Sequence, residues 1–225
     1  MSKILVISPH PDDETLGCGG TILKHRSIGD QIFLLFVTKM NAQNGWSAKK
    51  ILQRDQEIKQ ISKIYKFKKI FNLNLDSAEL DKYSKKNIIE KIGSVIKSIK
   101  AEIVYLPSIN DSHTDHQIIA KSTHSCLKWF RYPSIKKAMA YEILSETNFN
   151  LSSRLNFSPN VFINITRFIN EKIKIMKIYS SEMQSHPFPR SEQSIKSLAI
   201  LRGSQSGFEY AEAFELLLSL HDKKI

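Results

Sequence analysis

Cysteine is almost absent: Cys18 and Cys126 are the only two in 225 residues, and they stand far apart. That excludes a disulfide-stapled scaffold, a zinc ribbon and a C-x-x-C redox pair, so any bound metal must be held by histidine and carboxylate. Long hydrophobic runs are missing too. The longest, Ile32 to Val37, is far short of the roughly 20 residues that span a bilayer, so no transmembrane segment is expected. The apolar run Ile4 to Ile7 is too short for a signal-peptide core, which makes a cytoplasmic location the expectation. No repeat, low-complexity tract or Gly/Ser linker marks a boundary, and the length suits one sizeable domain over residues 1–225.

Negative charge is the minority sign, with 22 Asp+Glu against 33 Lys+Arg and a net charge of +11. Such an excess points to nucleic acid, an anionic surface or an anionic substrate. The lysines are nevertheless scattered in pairs such as Lys49-Lys50, Lys85-Lys86 and Lys136-Lys137, with no basic block and no aromatic-interleaved basic stretch. This reads as a solvated basic surface, and no nucleic-acid partner is expected. A basic binding module without catalysis is the competing reading; it requires salt-dependent binding that is indifferent to the histidines.

What is present is an alternation of short β-branched runs with amphipathic stretches. Strands are expected at Lys3 to Ser8, Gln31 to Thr38, Lys69 to Leu75, Glu102 to Pro107 and Lys136 to Ser145. Helices are expected at Glu14 to Ile28, closed by Gly29, at Ser47 to Tyr65, from Ser77 through Ile99, and at His116 to Trp129. Strand–helix–strand repetition predicts an α/β fold with a mostly parallel sheet covered on both faces, in the order 3-2-1-4-5, and a site where strands 1 and 4 meet. Beyond it, Asn160 to Ile165 reads as a strand, and Arg167 to Met183, Ser191 to Leu201 and Tyr210 to Leu220 read as helices.

Two clusters follow the strands that flank this switch point: His10-Pro11-Asp12-Asp13-Glu14 after strand 1, and Asp111-Ser112-His113-Thr114-Asp115-His116 after strand 4. Hydrolytic zinc takes three imidazole or carboxylate ligands and leaves a position for water. His10 and Asp13, three apart across a turn, can bring both heads to one point, and His116 can complete the set from the opposite loop. Asp12 and His113 then remain for proton handling, and Asp115 can hold His113 in one tautomer. A helix N-cap accounts for one aspartate, but not for the whole constellation at both strand ends.

Gly17, Gly19 and Gly20 lack the glycine at position 22 that a dinucleotide loop needs, so close packing of the first helix is their better account. Cys18 among them reads as a packed residue. Arg54 and Glu57, three apart on one face of the second helix, read as an ion pair. Arg190 and Arg202 are candidates for an anionic substrate group or for the surface.

These residues resemble the LmbE-like, or PIG-L, family of zinc-dependent N-deacetylases, which includes N-acetylglucosaminyl-phosphatidylinositol deacetylases and enzymes of mycothiol and bacillithiol synthesis. The similarity extends to His186-Pro187 through Arg190-Ser191, Arg202-Gly203-Ser204-Gln205 and Tyr210-Ala211-Glu212-Ala213-Phe214. The resemblance implies a Rossmann-like three-layer fold and removal of an N-acetyl group from an N-acetylglucosamine-type conjugate. It implies one zinc on His10, Asp13 and His116, Asp12 as general base, and His113 at the oxyanion or leaving amine with Asp115 as its partner. It also implies Arg54 near the substrate's polar groups. A deacylase acting on a non-sugar amide is a further alternative, and homo-oligomerisation stays open.

Overall fold

The computed structural model describes residues 1–150 and 156–221. Its centre is a sheet whose first two strands, β1 (Lys3–Ser8) and β2 (Gln31–Lys39), are almost wholly buried. Their alternating side chains feed two cores. Ile4, Val6, Ile32, Leu34 and Phe36 face one layer, while Leu5, Ile7, Phe33, Leu35 and Val37 face the other. A strand with both faces covered must be apolar throughout, which is why these runs lack polar alternation.

The first layer is built from α1 (Asp13–Ser27), α2 (Ala48–Tyr65) and two later helices, α5 (Ile169–Met176) and α6 (Glu192–Ser204). The second holds α3 (Lys85–Ile99) and α4 (Thr114–His124). Sequence signals set several of these boundaries. Ser47 and Ser84 accept hydrogen bonds from the amides of Lys50 and Asn87 and so start α2 and α3. Ile88, Ile92, Ile96 and Ile99 then form the buried stripe of α3.

With β3 (Lys69–Asp76), β4 (Ile103–Pro107), β5 (Lys137–Tyr141), β6 (Val161–Asn164) and β7 (Ala211–Ser219), the sheet order is β3-β2-β1-β4-β5-β7-β6. The first five strands are parallel in the expected 3-2-1-4-5 order, with β1 between β2 and β4. The last two are antiparallel additions.

The C-terminal part departs from the sequence expectation. Tyr210 to Leu220, rich in the helix formers Ala, Glu and Leu, is not a helix: residues 211–219 form β7, slotted between β5 and β6 with Phe214 opposite both Tyr141 and Val161. Tertiary pairing overrides local propensity here. The expected helix Arg167 to Met183 is only eight residues long, because the chain turns after Met176 to bury Tyr179 in the core.

α1 is broken at Cys18, where φ is −144°. The glycines around it let the helix lie on its neighbours. A Cβ at Gly17 would come 2.2 Å from the Tyr141 ring, and one at Gly20 would come 2.7 Å from Ile165. The backbone groups freed by the break are taken by a buried ion pair. Glu212 of β7 accepts from the Gly20 and Thr21 amides at 2.8 and 2.7 Å, and Lys172 of α5 donates to the Leu16 carbonyl and to Glu212 at 2.8 and 2.7 Å. Cys18 is fully buried, and burial pushes its thiol up, as expected of a packed residue rather than a nucleophile.

Candidate metal centre and catalytic cleft

The loop after β1 turns sharply into α1 through Asp12, whose φ of 133° is one that side chains rarely adopt. The Asp12 carbonyl accepts the first helical amides, from Thr15 and Leu16, but its carboxylate makes no capping bond. The N-cap explanation of this side chain therefore fails, and the carboxylate is left facing the cleft. Glu14 supports the turn from beneath. It is fully buried, accepts from the Asp12 amide at 3.1 Å and from the Tyr179 hydroxyl at 3.0 Å, and burial raises its pKa.

Across the β1–β4 junction, the two loops meet. Asp13 Oδ2 lies 3.3 Å from His10 Nδ1 and 3.3 Å from His116 Nε2, and these two nitrogens are 3.2 Å apart. Three ligand atoms at about 2.0–2.1 Å from a tetrahedral zinc are separated by about 3.3 Å, so this near-equilateral triangle fits such an ion. A second trio, His10, His113 and His116, also gathers its nitrogens within 4.8 Å. The set containing Asp13 is the tighter one, and it carries the carboxylate that a cation favours.

The surrounding carboxylates orient the ring nitrogens. Asp111 Oδ2 lies 2.8 Å from His116 Nδ1, which turns Nε2 toward the triangle. Asp115 Oδ2 lies 3.0 Å from His10 Nε2 and accepts from the Ala78 amide at 2.7 Å. This corrects the expected pairing of Asp115 with His113: the Asp115 carboxylate supports His10 instead. His113 is the N-cap of α4, and its Nδ1 accepts from the Asp115 amide at 3.1 Å, which leaves Nε2 as the protonated nitrogen of the neutral ring.

Electrostatics agree with a cation site. Burial alone would lower both imidazoles, yet Asp115 and Asp13 push His10 up to about 9, and Asp13 and Asp111 push His116 up to about 10. A field that holds protons this firmly on two histidines equally favours a metal ion that displaces them. Asp13 is held below the usual carboxylate range, because the neighbouring histidines outweigh the burial that opposes ionisation. Asp12 goes the opposite way: burial and the Asp13 charge raise it, with Arg190 and Arg54 pulling back. Burial lowers His113, and the charges of His10 and His116 add to this.

The cleft, about 190 Å³, is lined by His10, Asp12, Asp13, His113 and His116 and bounded by Arg54 and Arg190. Arg190 Nη1 donates to Asp12 at 2.9 Å and to Glu182 at 3.0 Å. Arg54 pairs with Glu57 at 3.1 Å and also binds Glu182 and the Pro11 carbonyl. The ion pair expected of Arg54 with Glu57 is present, and Arg54 stands at the cleft's edge. Arg202 is elsewhere. It forms a fork with Glu142 at 2.7 and 2.6 Å and does not line the cleft.

Comparison with known proteins bears on the same residues. Residues 5–127, more than half of the chain, match the PIG-L family, described as GlcNAc-PI de-N-acetylase. The chain belongs to the PIG-L family. The match contains both loops of the site and stops within the β4–β5 connection. A curated relative, the diacetylchitobiose deacetylase of Thermococcus kodakarensis, is 25% identical over 96% of this chain and 84% of its own. Among solved structures, the N,N'-diacetylchitobiose deacetylase of Pyrococcus horikoshii superposes with a TM-score of 0.77 at 21% identity, covering 96% of this chain and 84% of that one. GalB, a 4-carboxy-2-hydroxymuconate hydratase from Pseudomonas putida, superposes at 0.76 with 16% identity and full coverage of both chains. The fold thus also hosts a hydratase, so the fold alone does not assign the reaction. Family membership makes this PIG-L protein a hydrolytic N-deacetylase, and its histidine-rich centre can hold a metal ion. No helix among the described residues is long and apolar enough to cross a membrane.

In the sequence Asp111 and Glu14 stand inside the two motifs with no role of their own, and no motif marks Glu182, Tyr179 or Trp46. Asp111 was legible as the carboxylate five residues before His116. Glu182 and Tyr179 carry no local signal, since they reach the site from the turn after α5.

Proposed function

We propose that the chain, acting as one unit over residues 1–225, removes the N-acetyl group from an N-acetylglucosamine-type sugar conjugate, with one zinc ion held by His10, Asp13 and His116. The observation that supports this most is the 3.2–3.3 Å triangle of ligand atoms with Asp12 and His113 beside it in the same cleft. When bound, zinc supplies Lewis acidity, lowering the pKa of water to about 7 and polarising the amide carbonyl.

The chain's own residues do the rest. Asp12, buried and with raised proton affinity, takes the proton of the attacking water. Arg190 and the strained turn aim its carboxylate. His113 presents Nε2–H to the developing oxyanion. Because burial favours the neutral ring of His113, it serves as a hydrogen-bond donor, and the proton that Asp12 has gained is the one passed to the leaving amine. Arg54 and Arg190 are matched by Glu57, Glu182 and Asp12, so an anionic group on the substrate is not required to balance them. The two free, buried cysteines support a cytoplasmic site of action.

The test is acetate release from a panel of N-acetylglucosamine conjugates by zinc-loaded and chelated protein. Release that depends on zinc is expected. Protein that binds no divalent metal, or whose metal binding is indifferent to His10→Ala and His116→Ala, would overturn the reading.

A further inference from the structure

The strand expected to run to Ser145 stops at Tyr141, and residues 143–147 fold instead into a tight turn against the loop after β4. The Thr147 amide donates to the Ile143 carbonyl at 2.9 Å, and the Ile143 amide donates in return to Thr147 Oγ1 at 2.7 Å. Ser145, between them, has a left-handed φ of 77°. Two further bonds join the turn to the loop: the Ser112 amide donates to the Glu146 carbonyl at 3.3 Å, and the Ser112 hydroxyl donates to Glu146 Oε2 at 2.8 Å.

What the turn delivers is one hydroxyl. Thr147 Oγ1 lies 2.6 Å from Asp111 Oδ1, while Asp111 Oδ2 lies 2.8 Å from His116 Nδ1. Donor chemistry fixes where each proton sits. A backbone amide can only donate, so Ile143 takes Thr147 Oγ1 as its acceptor and the hydroxyl proton is left for Asp111. An ionised carboxylate can only accept, so it keeps the His116 proton on Nδ1 and leaves the Nε2 lone pair for a metal ion.

Two anchors on Asp111 do what one does not. The Cβ–Cγ torsion of an aspartate is broad rather than confined to staggered wells. Held by His116 alone, the carboxylate swings about that bond and the imidazole loses its direction; held at both oxygens, its plane is set. Asp111 is fully buried, so bulk water does not replace a missing donor.

We propose that Thr147 is a positioning residue for the metal centre: by binding Asp111 it fixes the ring of His116 and raises the affinity of the site for zinc. This rests on the metal-centre reading above and extends the site to the turn after β5. Thr147 does not line the cleft, so its effect passes through Asp111.

The readout is zinc affinity, measured by competition with a chromogenic chelator, which requires no turnover. Thr147→Val keeps the side chain's shape without its hydroxyl and should weaken zinc binding about tenfold, the lower end of the range for partners of metal-bound histidine. Thr147→Ala, which removes the hydroxyl without adding a methyl, should show the same loss. Thr147→Ser restores the hydroxyl and should bind zinc within about twofold of the parent. Ser145→Ala is the control for the turn itself: Ser145 Oγ accepts from Arg190 Nε at 2.9 Å, away from Asp111, and its removal should leave zinc affinity at the parental value. In an Asp111→Ala chain, where the link is already gone, Thr147→Val should weaken zinc no further. Equal binding by the parent and Thr147→Val, an equal loss in Ser145→Ala, or a further loss in the Asp111→Ala background would overturn the proposal while leaving the metal centre intact. A parent chain that takes up no zinc would overturn the metal-centre reading itself, and this inference with it.

Discussion

The two halves of the molecule contribute to the site in different ways. In the parallel half, from β1 to α4, functional residues sit in two short loops at adjoining strand ends, so Asp13, His10 and His116 meet because β1 and β4 are neighbours. In the C-terminal half, single side chains arrive from scattered places. Arg190 comes from the segment before α6, Glu182 and Tyr179 from the turn after α5, and Lys172 and Glu212 from α5 and β7. On the proposed reading the first half supplies the reacting groups and the carboxylates that orient the histidines, while the second adds Arg190, which aims Asp12, and the pair that fixes the bent α1. Aiming can be removed piece by piece without touching a ligand, and that makes the division testable.

The largest effect is expected within the loops. Asp12→Ala should lower the rate of acetate release by up to about 10⁴-fold, the upper range for a positioned general base, while metal content stays at that of the parent. Metal analysis beside the kinetics is the check. Loss of metal together with activity would mean that Asp12 is part of the ligand set, and the separation of roles between the loops would collapse.

The next effect lies in the other half. Glu212 and Lys172 are about 5% exposed, and removing one partner leaves the other charged and buried. Glu212→Ala should therefore cost about 3–5 kcal/mol of stability by urea unfolding, and it also strips the Gly20 and Thr21 amides of their acceptor. If stability were unchanged, the C-terminal strands would not be what fixes the bent helix.

The smallest effect concerns His25, near the far end of α1. Its Nδ1 lies 2.7 Å from Asp30 and its Nε2 lies 2.9 Å from the Tyr105 hydroxyl, an arrangement suited to the neutral ring. Burial lowers its pKa below 6.5. The folded chain then binds fewer protons than the unfolded one just below pH 6.5, so this contribution to stability is intact above that value and declines as the pH falls through the folded pKa. Unfolding midpoints across pH 5–8 should fall at the acid end in the parent, and less steeply in His25→Gln. An equal slope in both proteins would assign the acid sensitivity to other groups.

The same division explains what could be read from the sequence. The strand order and the two loops were legible because β-branched runs buried on both faces, and histidines next to carboxylates, are local signals. β7 was not. Ala211, Glu212 and Ala213 favour helix, and only pairing with β5 and β6 makes them extended. Nor could spacing reveal that Arg202 pairs with Glu142, or that Asp115 supports His10 through a carboxylate while giving His113 only a backbone amide. These choices are made between residues far apart in the chain, or between the carboxylate and the backbone amide of one residue.

The left-handed turn at Asp12 sets a direction for change. A residue with a side chain held at such a φ costs about 1–3 kcal/mol, a strain that glycine would not carry. Stability and chemistry therefore pull in opposite directions at this one position. A copy of the fold freed from the need to hydrolyse an amide would gain by drifting to glycine there, and the identity of that single residue would record whether the fold still carries out the reaction.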